Sequence, residues 1–186
     1  MSRAMIMALA VLIPAGAAAA PAPVSVPVSA PPELRRITKL VGNMDRSLAL
    51  YRDVLGMSVE FDTTARATTV AKVAGEPNAL LRMVRLRGSD PRVGLIEFLQ
   101  WLDPPLPAPA PYARRLGIGS TVLVMNVPSD GEGRCARLAQ IDGVSVLAGY
   151  AVTTYPGRGG AAAVRAGGCK FFDPDGMLVE LSQVLP

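Results

Sequence analysis

The 186-residue chain contains no histidine. That absence excludes Ser-His-Asp and Cys-His nucleophile systems, imidazole metal ligands and an imidazole proton shuttle. Any chemistry falls to carboxylates, Tyr, Lys, Arg, Cys or backbone groups. Aromatic residues are scarce, at 5%, and no basic run is longer than Arg35-Arg36 or Arg114-Arg115. A nucleic-acid groove needs a basic stripe interleaved with stacking rings, so nucleic acid is not an expected partner. Charged residues make up only 18% of the chain and hydrophobic residues half of it, enough apolar surface to bury a core. Lys and Arg number 19 against 15 Asp and Glu, a mild formal excess of +4.

The N-terminus is organised for export. Met1-Ser2-Arg3 is followed by an Ala-, Leu-, Ile-, Met- and Val-rich stretch from Ala4 to Ala20, broken by Pro14 and Gly16 and ending in small residues. A positive start, a short apolar middle and an A-x-A end read as a secretory signal peptide over residues 1–19, cleaved after Ala19. Its removal takes Arg3 and no acid, leaving +3 from +4. A membrane helix needs about 20 strongly apolar residues, and this stretch is shorter and interrupted by proline, so no stable membrane span is expected. The expected location is the periplasm or the exterior. Residues 20–33 contain Pro21, Pro23, Pro27, Pro31 and Pro32 and read as an extended tether. The folded domain is therefore expected over residues 34–186.

Within that domain the pattern is written twice. Arg36 to Val41 suits a strand, Asn43 a helix cap and Asp45 the positive first turn. Leu48, Tyr51 and Leu55, widened by Leu50 and Val54, predict an amphipathic helix that ends at Gly56. Strands follow at Met57 to Phe61, Leu80 to Leu86 and Val93 to Gln100. In the second half, Ser120 to Val127 reads as a strand and Ser129 with Glu132 as a capping box. Cys135, Leu138 and Ala139 share one helical face, Gly143 closes the helix, and Val144 to Leu147 is a strand. A glycine-rich loop and two further strands, Ala161 to Phe172 and Met177 to Val184, complete the half, with Asp173-Pro174-Asp175-Gly176 as the turn between them. Leu95-Ile96-Glu97-Phe98-Leu99-Gln100 matches Leu178-Val179-Glu180-Leu181-Ser182-Gln183 at an offset of 83. One α+β domain with pseudo-two-fold symmetry is implied, its modules at 34–101 and 117–186 joined by the proline-rich linker 102–116.

Two stretches carry a resemblance. Asn43 to Gly56 (NMDRSLALYRDVLG) and Phe171 to Leu181 (FFDPDGMLVEL) resemble the first helix and the closing hairpin of the vicinal oxygen chelate superfamily, the glyoxalase, bleomycin-resistance and extradiol-dioxygenase group. The resemblance implies two βαβββ modules curling around a shared ligand cavity, with the helices outside.

Alternation along the strands puts Leu95, Glu97 and Leu99 on one face, and Leu178, Glu180 and Ser182 on the corresponding face of the other module. Two carboxylates at symmetry-related places, each costly to bury without a partner, mark the candidate site. In metal-binding members of the superfamily these places supply two glutamates, with further ligands, often histidines, from the first strand of each module. Glu97 and Glu180 carry over. The other two places fall on Arg36 or Ile37 and on Ser120, so a four-ligand Zn, Ni or Fe site is not expected, although two glutamates and water suit a weakly held Mg or Mn ion. Without metal, Glu97 and Glu180 serve either as an acid–base pair with divergent pKa values or as pocket lining neutralised by Arg36 or a neighbouring arginine. Arg36, Thr38, Leu95, Leu99, Ser120 and Ser182 are the expected ligand-binding residues.

Two function classes follow from the resemblance: a metal-free binding protein for a small organic molecule, and a glyoxalase-type lyase or isomerase working through Glu97 and Glu180 with or without a divalent metal. It also makes a homodimer a candidate assembly. Three secondary expectations remain. Cys135, on an apolar helical face, and Cys169 are expected as buried free thiols rather than a bridge, although export permits one. Gly157-Arg158-Gly159-Gly160 reads as a hairpin loop or lid, and Thr63 to Ala79 as a small lid over the site. Trp101 and Tyr112 flank the linker and are expected either to pack or to edge the cavity.

Overall fold

The computed structural model describes residues 33–66, 68–90, 93–107 and 114–186. The expected leader, the tether as far as residue 32 and the linker stretch containing Tyr112 lie outside the described residues. The first module builds β1 (Ile37–Leu40), α1 (Met44–Leu48), β2 (Ser58–Arg66), α2 (Thr69–Val73), β3 (Leu80–Arg87) and β4 (Leu95–Asp103). The second builds β5 (Val122–Asn126), α3 (Gly131–Arg137), β6 (Ser145–Tyr155), β7 (Val164–Phe172) and β8 (Leu178–Leu185). Each forms its own four-stranded sheet, ordered β1-β4-β3-β2 and β5-β8-β7-β6. The first strand of each module runs parallel to the last, and the remaining pairs are antiparallel. This is the duplicated βαβββ plan of an α+β domain.

Local chemistry explains most boundaries. The Asn43 side chain accepts a hydrogen bond from the Arg46 N–H, satisfying one of the free donors at the start of α1. After Leu48 the helix widens into a π-helical segment, Ala49–Val54, in which the Leu55 N–H donates to the Leu50 carbonyl at 2.9 Å. The sequence predicts an unbroken α-helix here. The wider turn accompanies burial of Leu50, Tyr51, Val54 and Leu55 together, a stripe broader than a regular helix presents.

The capping box expected at Ser129 and Glu132 does not form. Asp130 occupies the cap position with φ of 56°, and its carboxylate instead receives Arg137 at 2.9 Å. The free Gly131 N–H is satisfied by Oε1 of Gln183, from β8, at 2.9 Å. A partner distant in sequence has replaced the local one. Strands β2 and β6 also run past their expected ends at Phe61 and Leu147, to Arg66 and Tyr155. The extra residues, Thr63-Thr64 and Val152-Thr153-Thr154-Tyr155, are β-branched or aromatic and pair along β3 and β7.

The larger apolar cluster among the described residues is shared by both modules. Leu48, Tyr51 and Phe98 of the first meet Leu138, Phe171, Val179 and Leu181 of the second. Tyr51 packs edge-on to Phe98 at 5.0 Å between ring centroids. Polar groups reinforce the junction. Asp173 and Asp175 are 1% and 7% exposed, and the Lys39 ammonium pairs with both. The Tyr51 hydroxyl donates to Asp173 at 2.8 Å, and the Gly42 N–H and Ser47 hydroxyl donate to Asp175 at 2.9 and 3.3 Å. The Asp173 to Gly176 turn is thus also the polar rivet between the modules. On the other side of the core, Arg134 of α3 donates to the Val54 and Leu55 carbonyls. Gly56 beside it has φ of +76°, and a Cβ there would lie 2.7 Å from the Arg134 guanidinium. Glycine is required on both counts.

The cysteines correct a sequence expectation. Cys135 and Cys169 are buried but are not free: they form a disulfide, with sulfurs 2.01 Å apart, that ties α3 to β7. The helical face carrying Cys135 is apolar, as its spacing with Leu138 predicts. What sequence could not supply was the neighbour across the layer, 34 residues away, with Cα atoms 6.1 Å apart and so within bridging range.

Candidate functional site

Pairing register converts alternation into faces. Ile96 and Phe98 of β4 enter the core, so Leu95, Glu97, Leu99 and Trp101 project from the opposite, inner face. One row across that face reads Thr38 on β1, Glu97 on β4, Arg85 on β3 and Phe61 on β2. Glu97 is only 6% exposed. Its Oε1 receives the Thr38 hydroxyl at 3.4 Å and an Arg36 guanidinium nitrogen at 3.3 Å, and its Oε2 receives Arg85 at 2.9 Å. Arg85 in turn lies over the Phe61 ring, 4.6 Å from its centroid, a cation–π contact. Both carboxylate oxygens are therefore engaged by cations.

The next residues along the face are apolar. Leu81, Leu99 and Trp101 cluster with Ala71 and Ala79, so α2 and the turn after it cover this end of the face. Of the segment from Thr63 to Ala79, the first part extends β2 and the helical part forms that cover. The Trp101 indole N–H beneath it is buried with no partner among the described residues.

In the second module the corresponding row is Val124 on β5, Glu180 on β8 and Lys170 on β7. Glu180 pairs with Lys170 at 3.0 Å and its side chain is 34% exposed. It lines a hollow of about 140 Å³ floored by small residues, among them Ala151, Ala166, Gly168 and Ser182. Close packing forces the glycine: a Cβ at Gly168 would lie 2.2 Å from the Leu181 carbonyl oxygen.

A larger cleft of about 510 Å³ lies between the modules. Arg35, Arg36, Ile37 and Leu95 form its first-module wall, Leu123 to Asn126 of β5 the facing wall, and the β3–β4 turn at Ser89, Asp90 and Val93 its rim. The predicted site residues thus separate into two groups. Arg36, Thr38, Leu95 and Leu99 surround Glu97 in the first module, Arg36 and Leu95 also lining the cleft, while Glu180 and Ser182 share the second-module hollow. Ser120 joins neither; it precedes β5 in a turn, its hydroxyl accepting the Gly117 N–H at 2.9 Å. Arg85 was missed. Its signal was present in sequence, because it alternates in phase with Leu81 and Met83 and faces Glu97 across the β3–β4 hairpin.

The sequence model of the Glyoxalase/Bleomycin resistance protein/Dioxygenase superfamily matches residues 33–181. The chain belongs to this superfamily. Comparison with curated proteins finds no match. Among solved structures, a glyoxalase family protein from Bacillus cereus superposes with a TM-score of 0.64 at 16% identity, covering 87% of this chain and all of that one. A glyoxalase/dioxygenase from Nostoc punctiforme gives a TM-score of 0.50 at 19% identity, with the same coverage. At these identities the likeness is one of fold.

Metal-binding members of the superfamily place a divalent ion against the glutamates of these strands, and the residues present here do not fit one. Glu97 has both oxygens committed, one to Arg36 and Thr38 and the other to Arg85. A cation bound there would sit against two guanidiniums. Beside Glu180, β5 offers the apolar side chains of Val122 and Val124. No group of three His, Cys, Asp or Glu suited to a metal occurs among the described residues.

Proposed function

We propose that this superfamily member binds a small organic molecule in the cleft between its modules, without a divalent metal. The observation that carries the reading is the substitution of charge for charge at Glu97, where Arg36 and Arg85 stand in the positions from which a cation would neutralise the carboxylate. Fixed guanidiniums cannot leave and expose no open coordination position, so the site is a preformed pocket wall rather than a Lewis acid. The adjoining cleft of about 510 Å³, lined by Arg36 and Leu95 but not by Glu97 itself, falls in the range of small-ligand sites. The test is a thermal-shift screen of small organic molecules run with a chelator present. Ligands that bind the folded state raise its apparent stability. Stabilisation that persists in chelator supports the reading; stabilisation that appears only when a divalent ion is added contradicts it.

The location proposed is outside the cytoplasm. The leader-like N-terminus supports it, as does the Cys135–Cys169 bridge, since disulfides persist in oxidising compartments. The proposed assembly is a homodimer. Val122, Val124 and Val184 point to the inner face of the second sheet and are 41%, 61% and 66% exposed, an apolar surface that a second copy would cover. Light scattering on the purified protein distinguishes monomer from dimer.

A second reading, a glyoxalase-type lyase or isomerase, is favoured by the part-exposed Glu180 beside Ser182 in the open second-module hollow. Glu97 already accepts hydrogen bonds on both oxygens, which leaves Glu180 to move a proton next to a substrate carbonyl. Exchange of α-protons of carbonyl compounds in deuterated water, abolished by Glu180→Gln, would establish that activity.

A further inference from the structure

The charges around Glu97 do not balance, and the imbalance indicates a ligand class. On the inner face and the adjoining cleft wall stand Arg35, Arg36 and Arg85 against Glu97 and Asp90, one cation in excess. The neighbouring Arg87 adds nothing, because Glu60 pairs with it. The two guanidiniums on Glu97 are also incompletely used. Each guanidinium carries five N–H donors in a planar fork. Arg36 spends one nitrogen on Glu97 and its Nε on the Thr38 hydroxyl, at 3.3 Å, while its side chain remains 45% exposed and lines the cleft. Arg85 spends one nitrogen on Glu97, and its Nε is buried with no partner among the described residues. Glu97 holds both forks in place, and donors remain unused on each.

Besides Arg35 and Arg36, the polar side chains lining the cleft are Ser89, Asp90 and Asn126, and its walls are otherwise apolar. Leu95, Val93 and Met57 of the first module face Leu123 and Met125 of the second. A site with a spare cationic fork at one end and aliphatic walls beyond it is complementary to an amphipathic monoanion. We infer that the ligand of the inter-module cleft is a small organic carboxylate with an apolar body, its carboxylate docked on Arg36 and its body between Leu95 and the β5 wall. The inference rests on the small-molecule reading above and deepens it. Carboxylate–guanidinium pairs are strong and geometrically selective, so the charge of the head group decides affinity more than the body does.

The test is calorimetric titration, in chelator, with three probes sharing one skeleton: 4-phenylbutyrate, 4-phenylbutanamide and 4-phenylbutylamine. The carboxylate is expected to bind at least about tenfold more tightly than the amide, and the amine most weakly, which corresponds to about 1.4 kcal/mol or more between the first two. Arg36→Gln, at a half-exposed position, is expected to abolish the preference without unfolding the protein. Glu97→Gln is expected to strengthen it by releasing both guanidiniums, a change of sign that general destabilisation does not produce. Should that buried variant not fold, Arg36→Gln and the weakening of carboxylate binding with added salt carry the test. Equal binding of amide and carboxylate, unaffected by Arg36→Gln, overturns the inference while leaving the small-molecule reading intact. Failure of all three probes overturns it too, and the wider ligand screen then decides the small-molecule reading separately. Carboxylate binding that requires a divalent ion overturns both.

Discussion

Reducing the Cys135–Cys169 bridge releases a loop whose ends are separated by 34 residues in sequence. For a loop of that length the chain-entropy relation gives about 4 kcal/mol of lost stability at room temperature. The bridge fastens α3 across the core onto β7, so its loss also frees the helix whose Arg134 reaches into the first module. Set against a typical domain stability of roughly 5–15 kcal/mol, that is a large fraction. The assay is urea unfolding followed by circular dichroism, with oxidised and reduced protein compared by linear extrapolation. Reduction keeps both sulfur atoms in the core and isolates the tether. The Cys135→Ala, Cys169→Ala double variant adds two small cavities and is expected to lose somewhat more. Denatured, unreduced protein is expected to show no titratable thiol. Two thiols, or equal stability with and without reductant, would refute the argument.

Two further outcomes follow from the polar junction. Lys39→Met leaves Asp173 and Asp175 buried without their cation and is expected to cost about 3–5 kcal/mol, read as a lower urea midpoint. Burial and the neighbouring Asp173 push the Tyr51 phenol well above its ordinary value of 10.0. Its folded form therefore holds a proton that the unfolded chain releases above about pH 10, so the stabilisation is complete below that pH and declines as pH rises beyond it, by up to about 1.4 kcal/mol per unit. In Tyr51→Phe the difference from the native protein is expected to shrink as pH rises above 10; a constant difference from pH 8 to 11 would contradict the assignment.

The fold was largely legible because its signals are local. The Asn43 cap, the Leu48–Tyr51–Leu55 stripe and the alternation within each of the strands carrying Glu97 and Glu180 are each read within a few residues, and the superfamily match and the two sheets agree with them. The readings that failed depended on partners far along the chain. Gln183 rather than Glu132 serves the start of α3, and Cys169 reaches Cys135. The site shows the same division. Alternation put Glu97 opposite the core-facing Ile96 and Phe98, but only strand register reveals that Arg85 lies beside it. Ser120 reads as the first residue of a strand that in fact starts two residues later, at Val122, which leaves it in the preceding turn.

Metal retention tests most directly the proposal that the Glu97 site works without an ion. The purified protein, equilibrated with Zn, Ni, Mn and Mg salts and then desalted, is to be assayed by plasma mass spectrometry alongside the Glu97→Gln, Glu180→Gln double variant. With Arg36 and Arg85 occupying the carboxylate, neither protein is expected to retain an ion beyond trace amounts. One tightly held ion per chain in the native protein, lost in the double variant, would contradict the account.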